Sequence, residues 1–248
     1  MRLTTKISYL FLLFCHLYTP HVLGQPVVID TLPADDYGGA LGIYHAYLTP
    51  ETALFWGPEY LAYDRTLRDG HPYYGENSRR EGTVYYNKIF YNHVFLLYDI
   101  VTDQAVMNDP FNIFKIGLIS ERLDSFTIEN HFFLHLTDSL NPTQPRNGFY
   151  ERLYKGGIVL LKRERKVIQE DLYSSDHVER FIDGTDSSYY LKIGNEYHPV
   201  NNTRSLLYVL KDRKKEVRKF IRANQLDMRK DRENTLIKVT AWYDSSVK

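Results

Sequence analysis

The pair His131 and His135 is the first arrangement that could do chemistry, because imidazoles four residues apart share one face of a helix and can hold one metal ion. The residues around it read as a strand instead. Phe132, Leu134 and Leu136 alternate, which sends them to the core and leaves His131, Phe133 and His135 on the other face. Four residues along a strand span about 13 Å, too far for two ligands of one ion. The expectation is a pair of exposed or half-buried strand histidines and no metal. Carboxylates offer a second chemistry. Asp35 and Asp36 are adjacent, so on a strand they point to opposite faces. Glu59, Asp64, Asp69 and Asp99 are available to form, after folding, a pair ~5–10 Å apart of the kind that flanks a sugar in a glycosidase. With 31 acidic residues in the chain, their presence alone selects nothing. There is no Gly-x-Ser-x-Gly elbow, Ser-x-x-Lys, His-Glu-x-x-His or phosphate loop. The locally recognisable hydrolases and nucleotide enzymes are thereby excluded, and no catalytic residue or cofactor is assigned.

The most ligand-like segment runs from Trp56 to Tyr74. It gathers Trp56, Tyr60, Tyr63, His71, Tyr73 and Tyr74 among glycine and proline breakers. Loops on a rigid scaffold are where binding residues tend to sit. Trp56, Tyr60, His71, Tyr73 and Tyr74 are therefore the candidate ligand-binding residues, a platform for a sugar or peptide. A loop packed down by its own aromatics has the same composition. The run Lys162-Arg163-Glu164-Arg165-Lys166 reads as a solvated strand end or turn.

The elements that must position these residues are mostly strands. Short strands are expected at Leu41–Tyr47 and Tyr60–Tyr63, within an irregular, aromatic-rich part (25–81). From Gly82 to about residue 202, apolar runs alternate with turn dipeptides such as Asn87-Lys88, Asp103-Gln104, Glu129-Asn130, Gly156-Gly157 and Gly194-Asn195. That is a hairpin signature. The strand His93–Val101 is apolar on both faces and requires cover on both sides. From Thr203 the period changes: Leu207, Leu210, Val217 and Ile221 share one face of a helix that Asn202 or Thr203 can cap, ending at Asn224-Gln225. A second helix runs from Asp231 to about Tyr243. The expected fold is mainly β (α+β by element count): an antiparallel meander forming a curved sheet or partly open barrel, with a C-terminal pair of helices packed on it.

The first 24 residues read as a cleavable secretory signal. Arg2 and Lys6 precede an apolar stretch from Ile7 to Leu17, and Val22 and Gly24 supply the small residues before a cut at Gln25. The apolar stretch falls short of the ~18–20 residues that span a bilayer, so no transmembrane anchor is expected after cleavage. Cys15, the only cysteine, leaves with the signal and takes thiol chemistry with it. Residues 25–248 are expected to form a single β-rich domain. The chain is formally neutral, which is no nucleic-acid profile. From Thr203 onward, however, 13 Lys and Arg stand against 6 Asp and Glu. The expected explanation is neutralisation of this basic tail (203–248) by an acidic body.

The stretches Glu81–Tyr86 leading to Leu96–Ile100, Gly148–Glu151 with Leu153–Gly156, and Tyr190–Lys192 with Tyr197–Val200 ahead of the lysine-rich tail resemble a group of secreted proteins of the Bacteroidota. The resemblance covers most of Gly82 to Tyr243. It implies an exported chain with hairpins before a basic helix pair, and it brings no activity and no site residues. The reading that follows is an exported binding or structural protein, periplasmic or extracellular and peripheral to the outer membrane. Its partner would be an envelope protein, a glycan or a lipid-like apolar ligand. The alternative is a secreted hydrolase of polysaccharide or peptide using scattered carboxylates.

Overall fold

The computed structural model describes residues 50–61, 63, 67–137, 145–174 and 177–247. The expected signal, Cys15, Asp35, Asp36, Asp64 and the expected strand Leu41–Tyr47 lie outside them. The chain divides into Met1–Tyr44 and His45–Lys248, and all that follows concerns the second unit.

A 3-10 turn over Pro50–Trp56 precedes thirteen strands. They are β1 (Leu67–Asp69), β2 (Arg80–Tyr86), β3 (Ile89–Asp99), β4 (Gln104–Asn108), β5 (Lys115–Gly117), β6 (Leu123–Ile128) and β7 (His131–Leu136). Then come β8 (Gly148–Lys155), β9 (Ile158–Arg165), β10 (Ile168–Ser174), β11 (His177–Ile182), β12 (Asp186–Ile193) and β13 (Glu196–Pro199). Three helices close the chain: α1 (Thr203–Val209), α2 (Lys214–Ala223) and α3 (Arg232–Val247). The fold is mainly β, as the hairpin phrases predict. No helix among the described residues is long and apolar enough to cross a membrane.

Ten strands form one antiparallel sheet in the order β13-β12-β9-β8-β7-β6-β2-β3-β4-β5. Two meander arms meet where β6 pairs with β2. Asn87 and Lys88 both have positive φ (51° and 65°), the turn that matches the twist of the strands it joins. The sheet coils without closing into a barrel. Although β8, β7, β6 and β2 separate β9 from β3, the Lys166 N–H donates to the Ile100 carbonyl at 3.3 Å. Arg163 also reaches Asp103, in the β3–β4 turn, at 2.6 Å. A small second sheet, β1-β11-β10, pairs β1 in parallel with β11. The sequence pattern misses it, because β10 and β11 carry Glu170, Asp171, Glu179 and Arg180 in place of a clean apolar alternation. Of the expected strand Tyr60–Tyr63, the described residues Tyr60, Leu61 and Tyr63 lie in no strand. Glu59 forms only a single bridge, to Ile116.

One cross-strand row explains the core. Tyr91, Val84, Phe126, Phe133, Glu151, Lys162 and Tyr189 are successive partners across β3, β2, β6, β7, β8, β9 and β12. At its apolar end lies the first core, with Leu96, Tyr98, Leu123, Phe126, Phe133 and Phe149 all nearly inaccessible. At its other end Leu160, Leu191, Leu206, Leu210, Val217 and Leu236 join sheet to helices. The helices thus cover the same face of the sheet as the first core, over β8, β9 and β12. On the opposite face, Leu97 and Val106 pack under Tyr60 and Tyr73, so β3 is covered on both sides at Leu96 and Leu97, while Phe95 stays exposed.

Three expectations need correction. First, Phe133 is core (2 % exposed) while Phe132, Leu134 and Leu136 are only half-buried, so the inward face of β7 is the one carrying His131 and His135. Stacking of Phe133 on Phe126 (4.8 Å) outweighs the aliphatic alternation. Second, the first helix breaks. Asn202 caps α1 through a box with Ser205, but a 3-10 turn at Lys211–Arg213 interrupts it, where no apolar side chain holds the helix to the sheet. The second helix also runs on to Val247. Third, the basic run is no solvated strand end. Lys162 and Arg163, within β9, are each 7 % exposed.

Candidate functional site

The five aromatic and histidine candidates do not share one surface. Tyr60 and Tyr73 are buried on the outer face of β3 and β4. The Tyr60 hydroxyl donates to Asp99 Oδ2 at 2.8 Å, and Tyr63 donates to the same oxygen at 2.7 Å. Asp99 Oδ1 takes the N–H groups of Val101 and Thr102 at 2.8 and 3.1 Å. Burial, then the adjacent carboxylate, pushes both tyrosine hydroxyls well above their ordinary range. Lys115 donates to the Tyr73 hydroxyl at 3.0 Å. The Lys166 ammonium donates to the carbonyls of His71 and Tyr73 at 2.9 and 2.8 Å. His71 stacks on Tyr73 (6.2 Å), and its pKa is lowered by burial and then by Lys166. Here the chain is bolted to the sheet.

Tyr74 points the other way, into the first core. Its hydroxyl lies 3.0 Å from His131 Nδ1 and 3.2 Å from Glu151 Oε2, and Glu151 Oε1 lies 2.5 Å from His131 Nδ1. Glu151 continues to Lys162 (3.7 Å), which also holds Glu164 (2.5 Å) and Glu233 of α3 (2.6 Å). Burial pulls the Lys162 pKa down, but the bonds from Glu164 and Glu233 outweigh it and raise it above the ordinary lysine range. His135 stacks on Phe149 (4.7 Å) and bonds Asn147 (2.9 Å). Both histidines therefore have structural partners, and among the described residues no group of three or more His, Cys, Asp or Glu is placed for a metal.

Trp56 alone of the five is well exposed, at 67 %. Beside it, the Leu54–Phe55 end of the 3-10 turn opens onto a cleft of about 630 Å³ that the sequence motifs do not signal. Its origin is a bulge. Gly82 pairs with Val94 and Val84 with Tyr91, so Asn92 and His93 face the single residue Thr83. His93 takes a φ of 55°, which bends β3 outward. Gly82 is needed opposite, because a Cβ there would collide with the Thr127 carbonyl. Leu54, Tyr91, Val94 and Met107 make a buried floor. Phe90 and Phe95 stand on its walls, 59 % and 54 % exposed.

The rim is polar. Arg79 and the Asn108 amide both donate to Asn112 Oδ1, at 3.2 and 3.1 Å, and His93 Nδ1 lies 2.5 Å from Glu81. Asn108 Oδ1 is buried with no donor among the described residues. Asp109, the one carboxylate of the lining, accepts the N–H groups of Ile113 (2.6 Å), Phe114 (2.8 Å) and Phe111 (2.9 Å). Burial works to raise its pKa, and these amide bonds overcome it and hold it below the usual range. Both its oxygens are engaged in knotting the β4–β5 loop, so the cleft wall presents apolar rings, amides and one guanidinium. Positive φ at His93 and Asn112 and the paired Phe90 and Phe95 shape this site, and no local motif announces either. Compared with protein-family models, curated proteins and solved structures, the chain has no match.

Proposed function

We propose that the protein is a non-enzymatic, exported binding protein, periplasmic or extracellular and peripheral to the envelope, and that its ligand enters the cleft beside the β3 bulge. The supporting observation is the pairing of an apolar floor and two exposed phenyl walls with a rim of Arg79, Asn108 and Asn112. A volume of about 630 Å³ is that of a site for one small molecule. Apolar body below and hydrogen-bonding head at the rim describe an amphipathic ligand, such as a short acyl chain on a polar headgroup. Export is supported by the leader-like N-terminus and by the resemblance to secreted proteins of the Bacteroidota.

Native mass spectrometry of protein purified from its own envelope tests this reading. A bound mass is expected in the parent and is expected to disappear in a Phe90→Asp, Phe95→Asp variant that melts like the parent. An apo mass in the parent counts against the reading. So does an adduct that survives both substitutions.

A further inference from the structure

Among the described residues, no lysine or arginine of the basic tail is ion-paired to the sheet. Among the described residues, the ion pair between tail and sheet runs the other way, from Lys162 of β9 to Glu233 of α3. Four of the five remaining tail acids are also engaged. Asp212 accepts the Tyr243 hydroxyl (2.9 Å) and Asp244 accepts the Tyr154 hydroxyl (2.9 Å). Asp227 takes the Arg229 N–H (2.8 Å), and Asp231 takes the Asn234 N–H (3.1 Å) at the start of α3.

Three arginines gather where this matters. Arg204, Arg229 and Arg232 line a concavity of about 350 Å³ between the start of α1 and the start of α3, with Asn201 and Met228. No carboxylate lines it. All three arginines are exposed, and none has an ion-pair partner among the described residues. The Arg232 guanidinium rests 6.0 Å from the Tyr189 ring, and the chain around Asn201 is tied down through its Oδ1, which accepts the Tyr189 N–H at 3.5 Å. Guanidinium groups recognise tetrahedral oxyanions by paired N–H bonds, and three around one hollow suit a doubly charged one.

We propose that this cleft is a binding site for a phosphate group, separate from the cleft beside β3. The shared chemistry is the phosphate oxyanion, carried either by a free small molecule or by a lipid headgroup. The test has two arms on the full chain. In the first, inorganic phosphate is titrated by calorimetry and NMR in about 0.15 M sodium chloride, where purely diffuse attraction is screened. Saturable binding is expected. An Arg229→Gln, Arg232→Gln variant is expected to weaken it at least about tenfold, the loss of one or two charge-assisted bonds. A Lys215→Gln, Lys219→Gln variant on α2 is expected to leave it unchanged. In the second arm, phosphatidylcholine vesicles with and without phosphatidic acid are sedimented with the protein. Retention on phosphatidic acid that free phosphate competes away makes the source a headgroup. Phosphate binding without retention makes it a soluble ligand. No saturable response in either arm overturns the proposal, as does equal weakening by the α2 variant.

Discussion

Replacing Lys162 by methionine isolates the ionic seam of the sheet. The side chain is 8 % exposed, and its ammonium sits 2.5 Å from Glu164, 2.6 Å from Glu233 and 3.7 Å from Glu151. Methionine keeps the length of the stem and removes the charge, leaving Glu151 (6 % exposed) beside two other carboxylates. Removing one partner of a buried ion pair costs about 3–5 kcal/mol. For a domain of this size, about 2–4 °C is lost per kcal/mol, so the melting temperature should fall by about 10 °C. Adding Glu233→Gln should restore part of the loss, since one uncompensated charge is then gone. The sign with pH is fixed by the raised Lys162 pKa. Its contribution is fully present below the unfolded lysine value near 10.4 and fades only as pH rises through the higher folded value. The deficit measured by calorimetry should therefore be constant between about pH 6 and 9. A variant melting within about 2 °C of the parent refutes the assignment of Lys162 as the charge that holds this seam.

Asp99→Ala should destabilise by about 3 kcal/mol in urea titration, because it strands two tyrosine hydroxyls and two amides. Tyr60→Phe should cost only about 1 kcal/mol, and equal effects would contradict the network described. The Asp109 carboxylate has its pKa held down by backbone amides. Its hold on the β4–β5 loop is complete above the unfolded value near 3.9 and fails as pH falls through the folded one. Amide exchange at Phe111, Ile113 and Phe114 should stay slow from neutrality to about pH 4 and accelerate in Asp109→Ala even at pH 7. Gln225 follows the α2 cap with φ of 52°. Gln225→Gly should raise the melting temperature by about 2–3 °C, and a fall would mean that its side chain has a role not seen here.

Much of the architecture is legible because hairpins are local. Asn87-Lys88 and Gly194-Asn195 announce their turns, and Asn202 or Thr203 announces a helix start. What escapes is decided at long range. The inward face of β7 depends on Phe126 and Phe149, which arrive from other strands. Lys162 and Arg163 look solvated in sequence because their partners, Glu233 and Asp103, lie 71 and 60 residues away. The aromatic segment from Trp56 to Tyr74 was visible, but whether its rings face a ligand or Asp99 is a matter of packing. The β3 cleft rests on a bulge, and one extra residue in a strand leaves no compositional trace.

The row that begins at Tyr91 and turns ionic at Glu151 also bears on alternative pairings. If β9 slid by one residue along β8, Lys162 would turn to the opposite face, and Glu151 would meet Leu161 in one direction or Arg163 in the other, the latter then withdrawn from Asp103. Glu233 of α3 would lose its mate in the same step. A slip of two residues keeps every face and would cost an aliphatic row little, but here it would set Glu151 opposite Leu160 or Glu164. The charges act as a key that fits a single register, and the helix that reads the key also covers the core beside it.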